Sequence, residues 1–157
     1  MRSLPPTQLL LFLAIGLVAG LSSSQLATGL GYSFLVSPNS LLLVLPLIAI
    51  VIYTASYPIY RYRKKAEKFE PGPRPTRPNP FFAFRVLVVA RAVALTGSLF
   101  AGWHLGQLMW LISFSVAPVG LVAPTLLGLL GSAGMLGGGL LAEFNCRAPK
   151  DPGEGAE

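Results

Sequence analysis

A single histidine, His104, lies in an apolar stretch between Ala92 and Ala142 that contains no other titratable residue. An imidazole in such surroundings is a functional candidate, because it can relay protons or help to bind a quinone or a metal. One histidine alone makes a poor metal or haem site, since those sites need further ligands. We therefore predict no metal and no other cofactor. We predict instead an intramembrane polar cluster of Gln25, His104 and Gln107, in which His104 hydrogen-bonds to Gln25 or to a serine.

Two arginines and one glutamate come close to the ends of long apolar segments. Arg85 and Arg91 lie near the start of one segment, and Glu143 lies near the end of the next. In an antiparallel hairpin, Glu143 comes level with the two arginines, and an ion pair would offset the cost of an ionisable group near hydrocarbon. The alternative is that the arginines reach out to lipid phosphates while water solvates Glu143. We assign no catalytic residue in either case.

Positive charge is concentrated in the middle of the chain. Seven of the twelve Lys and Arg residues lie between Arg61 and Arg77, whereas the segment from Gln8 to Tyr60 has no charged residue. The net charge of +6 does not indicate nucleic acid, because the cations flank apolar segments and do not line a groove. We expect contact with the membrane surface and its anionic lipids. The predicted contacts are Arg61, Arg63, Lys64, Lys65 and Lys68.

Four apolar stretches are long enough to hold these groups in a membrane. Hydrocarbon is ~30 Å thick, so a span needs ~20 apolar residues, and it must be helical because water is absent there. The predicted spans are Gln8–Thr28, Ser40–Tyr60, Phe81–Ile112 and Val119–Phe144. They make residues 1–148 one all-α domain, an integral membrane bundle of two hairpins joined by a basic, proline-rich loop at 61–80. The tail 149–157 is predicted to be disordered.

The cations also predict an orientation. All twelve Lys and Arg residues fall on one side of the four spans, so the positive-inside rule places both termini and the central loop in the cytoplasm of a plasma (inner) membrane protein. The first span leaves a choice open, since Leu9–Val18 is similar to the core of a signal peptide. We expect an uncleaved span, because signal-peptide cores are usually shorter than the apolar run that continues to Leu30.

Small residues recur every four positions in the third span, where they form a slowly drifting stripe, and the fourth span is rich in glycine. Small side chains let two helix backbones approach closely, which is how helices associate in lipid. We predict that the third and fourth spans pack through these faces, while the same motif also suits a face for another subunit. The predicted packing residues are Ala94, Ser98, Gly102, Gly106, Gly128 and Gly134.

The composition excludes a soluble domain. Of the 157 residues, 53% are hydrophobic and 11% are charged, whereas a soluble domain is roughly a quarter charged. The single cysteine, Cys146, excludes an internal disulfide framework and a multi-cysteine metal site. The sequence contains no nucleotide-binding loop, no nucleophile elbow, and nothing that assembles a nucleophile, a base and an orienting group. An enzyme would need its chemistry supplied by a cofactor or a partner chain.

Two stretches, Arg91–Trp103 in the third span and Leu140–Pro149 with its acid-then-Cys-Arg ending, carry a family pattern. They resemble a small actinobacterial family of four-span membrane proteins catalogued as domain of unknown function DUF3180. The chain departs from that pattern at Val88-Val89, where many members carry a polar residue. The resemblance implies a bacterial inner-membrane location and implies no activity. It suggests testing one juxtamembrane unit, which consists of Glu143, Cys146 and Arg147.

Small size, uncharged outer loops and glycine-lined helices predict a non-enzymatic membrane protein that acts as an accessory or scaffold subunit of a cell-envelope or respiratory complex. The alternative is a small transporter or lipid-handling protein that works as a homo-oligomer, which the outer polar patch and the glycines of the fourth span would serve. A membrane enzyme is the third hypothesis. Expected partners are a bilayer with anionic lipids and either other membrane subunits or further copies of the chain, without nucleic acid.

Overall fold

The computed structural model describes residues 4–67, 79–113 and 119–146, and four helices make up most of this part of the chain. They are α1 (Pro6–Gly29), α2 (Asn39–Glu67), α3 (Pro80–Ile112) and α4 (Val119–Cys146). The described residues contain no β-strand. Most of the predicted proline-rich loop and the tail 149–157 lie outside them.

All four helices are long and apolar enough to cross a membrane. The shortest, α1, has 24 residues, which at ~1.5 Å per residue exceeds the ~30 Å of hydrocarbon. The predicted all-α fold of four membrane-spanning helices is therefore confirmed, and the chain is a multi-pass membrane protein by the length and composition of its helices.

The helix ends follow from local chemistry. Pro6 opens α1, where a missing N–H costs no helical hydrogen bond. Asn79 caps α3, because its side-chain oxygen accepts a hydrogen bond from the backbone N–H of Phe81 at 3.0 Å. α2 continues past its predicted end at Tyr60 to Glu67, so the first basic residues of the central segment belong to this helix.

Only one of the two predicted hairpins packs as a pair. α3 packs against both α1 and α4, and α2 packs mainly against α4 and in part against α3. α1 and α2 make no contact with each other over their described lengths. Thus α3 and α4 form the expected hairpin, whereas the expected first hairpin is replaced by two helices that are both held by the α3–α4 pair. The physical reason is that α1 and α2 bury different kinds of surface.

α2 buries bulky apolar side chains at seven-residue intervals, which keeps them on one face of the helix. These residues, Leu45, Ile52 and Ile59, form a core with α3 and α4. The other buried members of that core are Val86, Ala90, Val93, Met135 and Ala142. The apolar core of the described bundle therefore lies between α2, α3 and α4, with α1 outside it.

α1 buries small residues against α3 instead. Its buried residues are Gly16, Gly20, Ser24 and Ala27. A Cβ atom on Gly16 would collide with the carbonyl oxygen of Leu99 on α3. The backbones of α1 and α3 are thus in direct van der Waals contact, the interaction that associates helices where lipid removes the hydrophobic driving force.

The start of the small-residue stripe of α3 packs against α4, as the sequence predicts. A Cβ atom on Gly139 of α4 would lie 2.6 Å from the backbone nitrogen of Ala94. Gly97 faces the same helix, because its Cβ would lie 2.8 Å from the Cα atom of Leu136. The α3–α4 contact therefore depends on glycine on both helices.

The rest of the stripe packs against α1, which corrects the prediction for three residues. Ser98 donates a hydrogen bond to the carbonyl of Leu9 at 2.7 Å. A Cβ atom on Gly102 would collide with the carbonyl of Leu13, and Gly106 faces α1 in the same way. At ~100° per residue, each four-residue step turns the stripe by ~40° around α3, so a stripe of this length passes from one neighbour to the next.

The two predicted packing residues of α4 have different surroundings. Gly128 is buried against the imidazole of His104. Gly134 is exposed, and no atom of another described helix lies within 4 Å of the position that its Cβ would occupy. The structure therefore places Gly134 outside the helix contacts of the described bundle, which corrects the prediction at this position.

Candidate functional site

Glu143 of α4 is the centre of a polar network at the end of the bundle where α1 and α3 begin and α2 and α4 end, here called the basic end. Its side chain is 1% exposed. Its Oε1 atom lies 3.4 Å from Nε of Arg91 on α3 and accepts a hydrogen bond from the backbone N–H of Leu4 at 2.9 Å. One carboxylate oxygen thus joins α4 to α3 and to the segment that leads into α1. A cation and an N–H donor together compensate for the lost hydration of the carboxylate.

The two candidate arginines have different positions. Arg91 is 35% exposed, so its guanidinium reaches both the buried Glu143 and the surface of the protein. Arg85 is exposed, and the described ion pair of Glu143 is with Arg91. Six residues turn an α-helix by ~240° relative to its starting face, so Arg85 and Arg91 project from different sides of α3.

α2 is joined to the same end of α4 by two side chains. Asn145 donates to the hydroxyl oxygen of Ser56 at 3.2 Å, and that hydroxyl donates to the carbonyl of Tyr53 at 2.8 Å. Arg63 donates from Nη1 to the carbonyl of Phe144 at 3.1 Å, and its guanidinium carbon lies 4.8 Å from the Phe144 ring centroid. A cation at this carbonyl satisfies one of the last acceptors of α4 and faces the negative end of its dipole.

His104 lies nearer the opposite end of the bundle and is 0% exposed. Its Nδ1 atom lies 2.8 Å from the carbonyl oxygen of Phe100. Because a carbonyl oxygen can only accept, Nδ1 carries a proton. Its Nε2 atom lies 3.0 Å from the hydroxyl oxygen of Ser37, so in the neutral ring Nε2 accepts from that hydroxyl. Ser37 belongs to the connector 30–38 between α1 and α2.

Gln107 holds the same connector. Its Nε2 donates to the carbonyl of Leu35 at 3.0 Å. The connector has no regular structure before α2, so its polar groups need partners elsewhere in the protein or in water. His104 and Gln107 are three residues apart on one face of α3 and supply two such partners.

α4 leaves space for this arrangement at Gly128, where a Cβ atom would collide with the imidazole of His104. The third predicted member of the polar cluster is elsewhere. Gln25 has an exposed side chain, and the serine that meets His104 is Ser37 of the connector, not one of the serines of α1. The structure therefore brings His104 and Gln107 together with the connector and places Gln25 on the outside of α1.

Over the described residues, the interactions in both regions are hydrogen bonds and the ion pair between Arg91 and Glu143. No group of three His, Cys, Asp or Glu side chains in the described part of the chain is placed to hold a metal ion. The thiol of Cys146 is half-buried and is not in a disulfide. The contacts in these networks join α4 to α3 and to the segment before α1, and they join α3 to the connector.

A comparison with protein families matches residues 9–150 to the model described as Protein of unknown function (DUF3180). The chain belongs to this family. The family predicted from the two sequence stretches is thereby confirmed. Neither a curated protein nor a solved structure matches the chain. The match includes both polar networks of this DUF3180 protein except Leu4.

The predicted lipid-contact residues of this DUF3180 protein divide into three groups. Arg61, Lys64 and Lys65 are exposed at the end of α2. Arg63 turns towards α4 instead. Lys68 lies outside the described residues, as does Arg147 of the suggested juxtamembrane unit.

Sequence reasoning missed several members of the two networks. Ser56 and Asn145 carry a signal, because Ser56 lies between Ile52 and Ile59 on the buried face of α2 and a polar side chain there needs a partner. Leu4 and Leu35 take part through their backbone groups, so their side chains carry no signal. Ser37 was not distinguishable from the other connector residues.

Proposed function

We propose that this protein is a non-enzymatic accessory or scaffold subunit of a larger membrane complex of the cell envelope or the respiratory chain. One observation supports this more than any other: the buried polar side chains that were candidates for chemistry are used to hold the protein together. His104 and Gln107 bind the connector 30–38, and Glu143 binds α3 and the start of α1. A bundle that uses its buried polar side chains for its own packing suits a protein whose task is to present surfaces.

The surface that such a subunit would present is broad. α1 contacts α3 through small residues on one face, and its other faces expose large apolar side chains. These include Leu10, Leu11, Ile15, Val18 and Leu26. In a membrane this surface is covered either by lipid or by other helices, and a subunit would use it for helices.

In-cell photo-crosslinking tests the proposal. A photoreactive phenylalanine analogue is placed at the exposed positions Ile15 and Val18 of α1, and separately at Leu127 of α4. A scaffold subunit gives a discrete adduct with a different membrane protein from one helix face, identified by mass spectrometry. Adducts at none of the three positions, with the variant proteins present at normal abundance, would refute a subunit role for these faces.

The orientation is part of the same proposal. We place the basic end in the cytoplasm, because Arg61, Lys64 and Lys65 emerge from the last turns of α2 at that end. The test uses cysteines introduced at Ser33 and at Lys65, each in a Cys146→Ser background. A membrane-impermeant maleimide added to intact cells should label the Ser33 position and leave the Lys65 position unlabelled. The reverse pattern would overturn the orientation.

A second function, a small transporter or lipid-handling homo-oligomer, is supported by the irregular connector against His104 and Gln107, since such segments line pathways in transporters. The two functions differ in what His104→Ala does. A transport role requires loss of complementation in a deletion strain at unchanged protein abundance. A structural role lowers abundance in parallel with complementation. Adducts between two copies of the chain in the crosslinking experiment would also favour this second function.

A further inference from the structure

The exposed cations at the end of α2 surround a recess of about 290 Å³. It is lined by Tyr57, Tyr60, Arg61, Lys64 and Lys65. Counted from Tyr57, the other four residues follow after three, four, seven and eight positions, so all five lie on one side of the helix. Three of the five side chains are cationic and none is acidic, so the recess attracts an anion.

Aromatic rings position the cations in this recess. The guanidinium carbon of Arg61 lies 5.9 Å from the Tyr57 ring centroid, and the Lys64 ammonium nitrogen lies 5.9 Å from that of Tyr60. The two rings lie 6.4 Å apart. A cation over a ring loses part of its freedom before any ligand arrives, which lowers the entropic cost of ordering it around an anion. The tyrosine hydroxyls add two possible hydrogen-bond donors.

The position of the recess along α2 indicates the depth of the anion. About twenty residues of helix cross the hydrocarbon, and the stretch from Leu41 to Tyr60 has this length and no charged residue. The next turn, which carries Arg61 and Lys64, therefore emerges at the level of lipid phosphates. Tyr57 and Tyr60 lie at the interface, where tyrosine is enriched.

An apolar track continues from the recess into the hydrocarbon. Leu43, Ile50, Tyr57 and Lys64 are seven residues apart, so they follow one face of α2. Leu43 is 73% exposed and Ile50 is 60% exposed. A ligand with a phosphate at the recess and acyl chains below it would cover both parts, whereas a free phosphate or an acidic peptide would leave the track to other lipids.

We propose that this recess is a headgroup site for one anionic glycerophospholipid. Arg61, Lys64 and Lys65 neutralise its phosphate, the tyrosines bind the glycerol region, and the acyl chains lie along Leu43 and Ile50. The site is independent of the scaffold proposal. It differs from diffuse attraction of a basic segment to a charged surface, because the phosphate contacts one side of α2 and excludes Arg63, which is bound to Phe144.

Lipid binding to the full-length chain, purified in a mild detergent, tests this site. Native mass spectrometry compares phosphatidylglycerol with phosphatidylcholine of the same acyl chains. The recess variant is Arg61→Gln/Lys64→Gln. The matched control, Arg74→Gln/Arg77→Gln, removes the same charge from the central loop. We expect one tightly bound phosphatidylglycerol. The recess variant should weaken its binding about thirty-fold, because it removes two cations that are each worth about fivefold near an anionic surface. The control should weaken binding less than about threefold.

Three results would overturn the site. Equal weakening by the two variants would show diffuse electrostatics. Equal binding of phosphatidylcholine, which has the same phosphate but no net charge, would show that the site does not select an anionic headgroup. Displacement by inorganic phosphate alone would show a free-anion site. Helical circular dichroism checks the fold of both variants. If the recess variant does not fold, Lys64→Gln alone removes one exposed cation, and it should weaken binding about fivefold. Unchanged binding in that variant also counts against the site.

Discussion

The ion pair between Glu143 and Arg91 gives a quantitative test of the basic end. Glu143 is 1% exposed and Arg91 is 35% exposed, and the joined atoms lie 3.4 Å apart. Breaking a fully buried pair costs about 3–5 kcal/mol, whereas an exposed pair contributes about 0–1 kcal/mol. Because Arg91 keeps partial access to water, we expect a coupling free energy of about 1–2 kcal/mol between the two side chains.

A double-mutant cycle measures this coupling. Glu143→Gln, Arg91→Ala and the double variant are unfolded in mixed micelles by a rising fraction of denaturing detergent, and helical circular dichroism gives the free energy of unfolding. Glu143→Gln retains an oxygen that can accept from Leu4, so the cycle isolates the charge. Arg85→Ala, on an exposed position, serves as the control and should change stability by less than about 0.5 kcal/mol. If the effect of the double variant equals the sum of the two single effects within about 0.3–0.5 kcal/mol, the two side chains are not coupled and the ion pair does not stabilise the protein.

Four other substitutions are expected to change the stability or the hydrogen exchange of the protein, with different signs or in different parts of the bundle. Gly102→Ala puts a Cβ atom against α1 and should lower the free energy of unfolding by about 1–3 kcal/mol, whereas Gly134→Ala fills open space on a helix and should raise it by about 0.5–1 kcal/mol. His104→Ala removes one attachment of the connector 30–38 and should speed hydrogen exchange there about tenfold, while the basic end is unchanged. Asn145→Leu removes the donor to α2 and should cost about 1 kcal/mol in the same unfolding assay.

Matched variants make these outcomes decisive. Equal destabilisation by the two glycine substitutions would contradict the assignment of α3 faces. Gln25→Ala is the control for the connector, since Gln25 is exposed, and faster exchange in that variant would place Gln25 in the cluster after all. Adding Ser56→Ala to Asn145→Leu should recover part of the lost stability, because removing both partners leaves no buried hydroxyl in need of a donor.

The spans were predictable because length and hydropathy decide them, but the neighbours of each helix were not. α1 is apolar on all sides, so hydropathy gives no face that must be buried. Its small residues Gly16 and Gly20 allow another helix to approach closely, but they do not indicate which helix that is. For this reason the sequence predicts that the four-residue stripe of α3 packs against α4 or against another subunit, although its later members, Gly102 and Gly106, pack against α1.

The polar sites were predictable where side chains make the contacts, but not where backbone groups make them. The register of the α3–α4 hairpin brings Glu143 level with Arg85 and Arg91, and helix phase puts the two arginines on different sides of α3 without indicating which of them faces α4. No sequence rule gives Leu4 or Leu35, because each contributes a backbone group whose position depends on the path of the chain. The sequence does not indicate the hydrogen-bond partner of His104 either, because that partner depends on the path of the connector 30–38.

The basic residues at the end of α2 show that cations that are neighbours in the sequence can have different roles. The buried side chains Leu45, Ile52 and Ile59 fix which face of α2 meets α4, and Arg63 continues that face by one turn. Its guanidinium therefore reaches the carbonyl of Phe144 near the end of α4. Arg61 and Lys64 are rotated away from that face and remain at the recess. Neighbouring cations are thus divided by helix phase between joining two helices and facing away from α4, and the apolar residues one to five turns earlier decide which cation does which.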